Sequence, residues 1–143
     1  MMTTDESLQS LLRALQPGYE RPVPAAGWAS FARRFLQSGE IVLFAFEGEG
    51  WTWVDPLLLV TDRRVLHLRR GLRWRVLREV QAAEVRGADC ASGTVAGHVR
   101  ILLRDGSSLR TRQNVSKDEA VAQGFVDGVN RLVAGGGRSA SRH

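Results

Sequence analysis

The sequence predicts a mainly β protein of the α+β class, in which short antiparallel strands form the core and helices flank them. The first observation is Leu57–Val80, where three apolar runs are separated by the segments TDRR and RRGLR. The second is an alternation of apolar and polar residues over Val99–Leu103, followed by Asp105-Gly106, a strong hairpin signal. The third is a helical stripe of apolar residues over Val121–Val133.

Length and composition fit one domain of ordinary size. The chain has 143 residues, of which 43% are hydrophobic and 24% are charged, as is typical of a globular protein with one core. No uncharged apolar run approaches the ~18 residues of a transmembrane helix, and the polar start MMTTDESLQS does not resemble a signal peptide. The single cysteine, Cys90, cannot form an internal disulfide. We therefore expect a cytoplasmic protein.

The first 37 residues predict two amphipathic helices. Thr4 is placed to cap the first helix, which carries leucines at helical spacing: Leu8, Leu11, Leu12 and Leu15. Three of the four prolines then mark an extended connector over residues 16–27. A second helical pattern ends at Gly39, and we expect its apolar residues to pack rather than to bind a ligand: Trp28, Phe31, Phe35 and Leu36.

Strands are predicted next. Glu40–Phe46 is apolar on both faces, as in a strand that is covered on both sides. Pro56–Thr61 and Val65–Arg70 follow, joined by a turn in which Asp62 is expected to bond to the backbone two residues on. In the next strand, Arg73–Val80, one face carries Trp74, Val76, Arg78 and Val80, and the sequence leaves its inward face open.

The last third of the chain predicts a single helical turn over Ala82–Glu84, a strand over Val85–Ala91, and a loop marked by Ser92, Gly93 and Gly97. Beyond the loop, five side chains are expected to face inward: Val99, Ile101, Leu103, Leu109 and Thr111. A capping box, Ser116 to Glu119, opens a helix with a buried stripe of Val121, Phe125, Val129, Leu132 and Val133. Gly135–Gly137 are predicted to end this helix.

Arginines are concentrated in one part of a basic chain, whose net charge is +5. Sixteen residues contain seven arginines and no acid: Arg63, Arg64, Arg69, Arg70, Arg73, Arg75 and Arg78. Nearby, Trp51 and Trp53 point to the same side of an extended backbone, where they either cover the core or stand at a rim. Strand parity predicts that the 70–73 loop lies at the same end of the sheet as these tryptophans.

The candidate residues for binding an anion or a partner are therefore Arg69, Arg70, Arg73, Arg75, Trp51 and Trp53, because arginine beside tryptophan suits both. The alternative is that several arginines pair with Glu47, Glu49, Asp62 and Glu79 and form only a solvated surface.

Motifs for catalysis and for metal binding are absent from the sequence. It contains no HExxH, GxSxG, GxxxxGK[ST] or GxGxxG pattern. His67, His98 and His143 are isolated, and Cys90 has no second ligand at zinc-binding spacing. We therefore expect no enzymatic activity, no cofactor, no metal ion and no small-molecule substrate.

The order of the elements resembles the bacterial pleckstrin-homology-like domains, which are similar in outline to GRAM domains. The resemblance covers about residues 38–133 and is carried by Gly39-Glu40, LLLVTDRRVLHL from Leu57, REVQAAEV from Arg78, VRILLRDGSSLRTR from Val99, and the final helix. It implies a bent antiparallel sheet or barrel of about seven strands, capped by a C-terminal helix, over residues 38–134. Residues 1–37 would then be a helical addition, and residues 135–143 a disordered tail.

The same resemblance implies a binding module. Its best-known activity, binding of phosphoinositide head groups, uses basic residues around the first strand loop, whereas Glu47–Pro56 here is acidic and has no Lys or Arg. Some members look like protein-binding or oligomerising modules, so we expect a noncatalytic module that binds a protein or itself through sheet edges or the N-terminal helices. The alternatives are peripheral binding to an anionic membrane through the arginine-rich strand loop and, less favoured, nucleic-acid binding.

Overall fold

The described part of the protein is α+β, with seven antiparallel strands in two sheets and a C-terminal helix. The computed structural model describes residues 2–48, 55–91, 97–113 and 119–141. The elements are α1 (Met2–Leu15), α2 (Ala25–Phe35), β1 (Val42–Glu47), β2 (Asp55–Thr61), β3 (Arg64–Arg70), β4 (Trp74–Gln81), β5 (Val85–Ala91), β6 (Gly97–Leu103), β7 (Ser108–Gln113) and α3 (Glu119–Ser141). Single 3-10 turns cover Gln16–Gly18 and, as predicted, Ala82–Glu84.

Sheet 1 has the strand order β1-β2-β3-β4, and sheet 2 has the order β5-β6-β7. Helix α3 packs against β5 and β1, so that the first core lies between this helix and the two sheets. Sheet 1 contributes four buried side chains to this core: Phe46, Leu58, Val60 and Val65. The inward side chains predicted for β6 and β7 are all buried: Val99, Ile101, Leu103, Leu109 and Thr111.

A second core lies on the opposite face of sheet 1, beneath α1 and α2. The helices supply Leu11, Leu15, Trp28, Phe31 and Ala32, and the sheet supplies Val42, Ala45, Leu57, Leu59, Leu66 and Leu68. Each such large apolar side chain contributes about 1.5–3 kcal/mol when it is removed from water. The prediction that β1 is covered on both sides is confirmed, and the apolar stripes of the two N-terminal helices belong to the core of the protein itself.

Two β-bulges decide which side chains of sheet 1 enter which core. The pairing of β1 with β2 shifts at Leu43, so Val42 and Ala45 enter the second core although they are three residues apart. In β4 the pairing shifts at Leu77, so that Trp74 packs in the second core and Val80 in the first. The prediction that Trp74 and Val80 share a face is wrong, because one extra residue between them reverses the alternation.

Helix boundaries differ from the sequence predictions at several ends. Helix α1 already begins at Met2, so Thr4 lies within it and does not cap it. Helix α2 ends at Phe35, and Leu36 is its C-cap residue. Helix α3 continues through Gly135–Gly137 to Ser141, because glycine costs only about 1 kcal/mol per helical position and no proline follows.

Among the other predictions for the C-terminal half, some are wrong and some concern residues outside the described ranges. Leu132, on the predicted buried stripe of α3, is 38% exposed. The capping serine Ser116 and the loop residues Ser92 and Gly93 lie outside the described residues, and Gly97 belongs to β6. The division of the chain into residues 1–37, 38–134 and 135–143 stays a prediction.

The β2–β3 turn is held by a threonine rather than by the aspartate. Thr61 Oγ1 accepts hydrogen bonds from the N–H groups of Arg63 at 3.1 Å and Arg64 at 3.0 Å. Asp62 Oδ1 accepts instead from the N–H of Ile41 at 3.0 Å. The expected bond from Asp62 to the backbone two residues on is therefore replaced by a bond that joins the turn to the start of β1.

An ion pair between Glu40 and Arg64 is buried beside this turn. Arg64 Nε and Nη2 each donate to one carboxylate oxygen of Glu40 at 2.9 Å. Nη2 also donates to the carbonyl of Phe35 at 2.6 Å, and Nη1 donates to Glu79 at 3.0 Å. The guanidinium thus links the end of α2, the start of β1 and the outer strand β4.

The carboxylate of Glu40 is fully buried and has further donors. The Gln37 N–H donates to it at 2.8 Å and the Thr61 hydroxyl at 2.7 Å. Burial by itself would raise the pKa of Glu40, but the hydrogen bonds from Arg64, Gln37 and Thr61 together hold this pKa below its ordinary value. Helix α1 joins the same corner, because the Ser7 hydroxyl donates to the Glu40 carbonyl at 2.6 Å.

We predict opposite effects for two alanine substitutions in α3. A Cβ atom at Gly128 would overlap the ring of Phe44, whereas a Cβ atom at Gly124 would meet nothing within 4 Å. Gly128→Ala should therefore lower the free energy of unfolding by about 1–3 kcal/mol, while Gly124→Ala should raise it by about 0.5–1 kcal/mol. Urea unfolding of both variants measures this, and equal effects would show that α3 does not approach β1 this closely.

We predict that Arg64→Met lowers the free energy of unfolding by about 3–5 kcal/mol at pH 7, because it leaves the Glu40 carboxylate buried without its partner. Arg63→Met is the matched control in the same turn. Arg63 is exposed and lies 3.9 Å from Asp62, so its loss should change stability by less than about 1 kcal/mol. Chemical unfolding at pH 7 compares the two variants, and similar losses would contradict the central role of the buried pair.

As the pH falls below about 4.5, the free energy of unfolding measured by chemical unfolding should change in opposite directions for Glu40 in the native protein and in Arg64→Met. In the native protein the lowered pKa of Glu40 means that the ion pair contributes fully above its unfolded pKa of about 4.5, and the contribution is lost as the pH falls through the lower folded pKa. In Arg64→Met the carboxyl keeps its burial without the arginine, so acidification should recover part of the lost stability.

Candidate functional site

The turn between β3 and β4 projects an apolar residue among arginines. Arg70 and Trp74 form the last cross-strand pair, and Gly71, Leu72 and Arg73 complete the turn. Leu72 is fully exposed. The four arginines predicted to bind an anion or partner are also exposed and surround this tip: Arg69, Arg70, Arg73 and Arg75. We refer to residues 69–75 as the basic hairpin.

Within the described ranges, three arginines of the basic hairpin have no acidic partner: Arg69, Arg73 and Arg75. Arg69 and Arg75 stand directly opposite each other on β3 and β4. Directly opposed residues in an antiparallel pair lie about 4.5–5.5 Å apart at Cβ, and like charges in this position destabilise the strand pair. An anion that binds between them would relieve this repulsion.

The base of the basic hairpin is anchored on α2 through Trp74. The guanidinium carbon of Arg70 lies 5.4 Å from the centre of the Trp74 ring, at cation–π distance. The same indole packs against Phe31 and Trp28, with ring centres 5.2 Å and 5.7 Å away. The base of the hairpin is therefore held on a packed aromatic cluster, while Leu72 and the arginine side chains extend into solvent.

The remaining arginines of the predicted cluster have structural partners. Arg64 forms the buried pair with Glu40, and Arg63 lies 3.9 Å from Asp62. Arg78 lies 3.7 Å from Asp105 and donates to Ser107 at 3.2 Å, which joins β4 to the β6–β7 turn. Two of the pairs expected for a solvated surface are present, Arg63 with Asp62 and Arg64 with Glu79, but Arg64 is buried and bonds mainly to Glu40. Arg69, Arg73 and Arg75 have no such pair among the described residues.

Trp51 and Trp53 lie outside the described residues, so their role in the site stays a prediction. The described ends of their connection, Gly48 and Pro56, are joined by a hydrogen bond of 2.9 Å from the Gly48 N–H. Asp55, the first residue of β2, pairs with Arg70, the last residue of β3. The connection between β1 and β2 therefore leaves and rejoins sheet 1 at the end that carries the basic hairpin.

Leu72 was not among the residues selected from the sequence. The signal was present in RRGLR, where a large apolar residue follows glycine in a segment predicted to be a tight turn. Turn residues lie on the surface, so a leucine in such a segment has few ways of being buried. The structure brings this leucine together with the four predicted arginines.

Tyr19 lies close to the base of the basic hairpin. Burial, followed by a hydrogen bond to Glu47 and the charge of Glu47, raises the pKa of Tyr19 to about 12, against smaller opposing effects of a hydrogen bond with Trp28 and of the positive charge of Arg70. The phenol is therefore protonated at neutral pH and acts as a hydrogen-bond donor. Tyr19 contributes to packing at the base of the basic hairpin and is not suited to act as a general base.

A second group of basic residues lies on sheet 2, but its charge is partly neutralised. Arg100 makes a bidentate pair with Asp89, at 2.8 Å and 2.6 Å, and the hydrogen bond from Arg100 is the main reason that the pKa of Asp89 is lowered. Arg110 Nη2 lies 3.3 Å from His98 Nδ1. Burial, then the charges of Arg110 and Arg100, lower the pKa of His98, which is therefore neutral at pH 7.

The described residues offer little for covalent or metal chemistry. Burial lowers the pKa of His67. Burial, followed by the charge of Asp89, raises the pKa of Cys90, so this thiol stays protonated at neutral pH. Among the described residues, no group of three His, Cys, Asp or Glu side chains is arranged to hold a metal ion.

Comparison with known proteins gives no match: no protein-family model fits the chain, and no curated protein is significantly similar to it. None of the helices within the described ranges is both long enough and apolar enough to span a bilayer. The geometry on which an interpretation rests is therefore that of the chain itself, in which exposed arginines surround an apolar tip.

Proposed function

We propose that the protein is a noncatalytic binding module of the pleckstrin-homology-like type that docks on an anionic membrane surface through the basic hairpin. The observation that carries the proposal is Leu72, fully exposed at the tip and framed by three arginines without acidic partners among the described residues. The order of four strands, three strands and a C-terminal helix supports the comparison with that family.

The chemistry of the tip suits the interface between lipid head groups and acyl chains. Leu72 would enter the apolar layer, and the guanidinium groups would contact phosphate and carboxylate groups, for which arginine has the matching fork geometry. Each basic residue near an anionic surface contributes about 1 kcal/mol, and burial of a leucine about 1.5–3 kcal/mol. The hairpin alone therefore supports weak, reversible and salt-sensitive binding.

The buried state of the N-terminal helices weakens the hypothesis that the sequence favoured. The sequence favoured protein binding through α1 and α2 because their apolar stripes have to be buried against another surface. Leu11, Leu15 and Phe31 are now part of the second core, where sheet 1 covers them. Among the described residues, the exposed large apolar side chains lie instead on the basic hairpin, on β4 and, for Leu132, on α3.

We predict that the protein sediments at low salt with vesicles of phosphatidylcholine and phosphatidylserine, and not with vesicles of phosphatidylcholine alone. The double variant Arg69→Gln/Arg75→Gln should bind the acidic vesicles about 30-fold more weakly, at about 1 kcal/mol per arginine. Leu72→Ser should weaken binding at least tenfold through lost burial. Vesicle sedimentation over a range of lipid concentrations measures these effects.

The matched control is Arg13→Gln/Arg33→Gln, which removes the same charge from exposed positions on α1 and α2. It should bind the vesicles like the native protein apart from a small effect of net charge. The hairpin double variant should keep its stability or gain up to about 1 kcal/mol, because it relieves the repulsion between Arg69 and Arg75. Equal binding by the two double variants would refute membrane docking through the hairpin.

Self-assembly through β4 is a second candidate function. β4 is an edge strand of sheet 1, and the bulge region leaves Val76 42% and Leu77 46% exposed. The unpaired backbone groups of an exposed edge strand are able to pair with a second copy of the same strand. This candidate retains the sheet-edge contact that the sequence analysis favoured.

We predict for this second candidate a dimeric native mass that persists at high salt, because strand pairing and apolar burial are little screened. Leu77→Lys should return the protein to a monomer, since it places a charge on the shared edge. Light scattering after size exclusion at two salt concentrations measures the mass. A monomeric native protein at all concentrations would eliminate this candidate.

A further inference from the structure

An apolar groove opens at the end of sheet 1 opposite the basic hairpin, between α3, the β2–β3 turn and the 3-10 turn at Ala82–Glu84. Its volume is about 510 Å³. The apolar part of its lining comes from both sheets and from α3: Leu43, Val60, Val65, Val85, Leu132 and Val133. Pockets of about 300–1,000 Å³ with a mainly apolar lining and few polar groups are typical of small-molecule sites.

The groove exists because two structural features leave apolar side chains incompletely covered. Leu43 is the unpaired residue of the β1 bulge and is only half-buried. Leu132 continues the apolar stripe of α3 but is 38% exposed. Leu132, which the sequence predicted to be buried, therefore lines one wall of this groove.

One cation at the rim has no acidic partner among the described residues. Arg104 is held in place by its backbone N–H, which donates to the carbonyl of Glu84 at 2.9 Å, and by Nε, which donates to the carbonyl of Ala83 at 2.8 Å. Both terminal nitrogens of its guanidinium remain available. The other charged lining residue, Asp62, is engaged by the Ile41 N–H and lies 3.9 Å from Arg63.

We propose that this groove binds a single-chain amphiphile with an anionic head, with the alkyl chain along the apolar lining and the head on Arg104. A carboxylate and a phosphate both match the paired N–H donors of a guanidinium. The apolar lining fits a chain of methylene groups, and the unpaired rim cation selects the sign of the head. This ligand class goes beyond the membrane contact proposed for the basic hairpin.

The two sites are far enough apart to be tested separately. Strand β3 runs from Arg64, at the end with the groove, to Arg70 in the basic hairpin, a length of about 20 Å at ~3.4 Å per residue. A substitution at one end therefore leaves the contacts of the other unchanged. The hairpin variant Arg69→Gln/Arg75→Gln should bind the amphiphile like the native protein.

Isothermal titration of the full chain with octanoate and decanoate, below their micelle concentrations, tests the proposal. We expect decanoate to bind about 15-fold more tightly than octanoate, at about fourfold per methylene. Decyltrimethylammonium, whose alkyl chain is one methylene longer and whose head has the opposite charge, should bind at least tenfold more weakly than decanoate. A further titration with decyl phosphate shows which anionic head the site prefers, and tighter binding of either head supports the proposal.

Arg104→Met should weaken decanoate binding by about 10–100-fold, which is the effect of losing charge-assisted hydrogen bonds. Arg13→Met is the control, because Arg13 is exposed on α1 and does not line the groove, and it should bind decanoate like the native protein. Leu132→Trp fills the groove from a partly exposed position, so it should abolish binding while circular dichroism remains native. Equal binding of decanoate and decyltrimethylammonium, no dependence on chain length, or native affinity of Arg104→Met would each overturn the proposal.

Discussion

The buried ion pair between Glu40 and Arg64 is the interaction on which the arrangement of this protein depends. Taking two charges out of water costs several kcal/mol per ion, and such a pair is tolerated only when every polar atom around it is bonded. Here both carboxylate oxygens and all three guanidinium nitrogens have partners within 3.0 Å, supplied by α2, the α2–β1 connection, β2 and β4. The Ser7 bond to the backbone of Glu40 adds α1 to the same corner. The pair therefore fixes the N-terminal helices to sheet 1.

Fixing the helices there has a direct consequence for function. Strands β1, β2 and β3 carry buried side chains on both faces, whereas most of β4 is exposed, so the surfaces of sheet 1 that are open to other molecules are its ends and its outer strand. The two ends differ in chemistry. At one end three arginines surround an exposed leucine, and at the other a single arginine stands at the rim of an apolar groove. Arginines that pair with an acidic residue support the fold, and those without an acidic partner among the described residues are the candidate binding residues.

Several features that lower the stability of the protein on its own are concentrated in β4 and in the turn that precedes it. A leucine exposed at a tip, two directly opposed arginines without acidic partners among the described residues, and two apolar residues exposed beside a bulge all break the local rules of a stable fold. Sheet 2 also has two directly opposed arginines, Arg100 and Arg110, but there Arg100 is paired with Asp89, and the inward face of β6 is apolar throughout. We attach functional weight to β4 and its turn for this reason.

The sequence by itself determined the elements whose signals are local. The β6 alternation, the Asp105-Gly106 turn with Gly106 at φ 91°, and the 3-10 turn at Ala82–Glu84 depend on neighbouring residues only, and each was predicted. Tertiary structure alone decided the faces of Trp74 and Val80, because a bulge arises from the pairing of two strands and reverses the alternation beyond it. Tertiary structure also decided which arginines have no acidic partner among the described residues. Glu40 and Arg64 meet across 24 residues of chain, and such a contact leaves no periodic signal in the sequence.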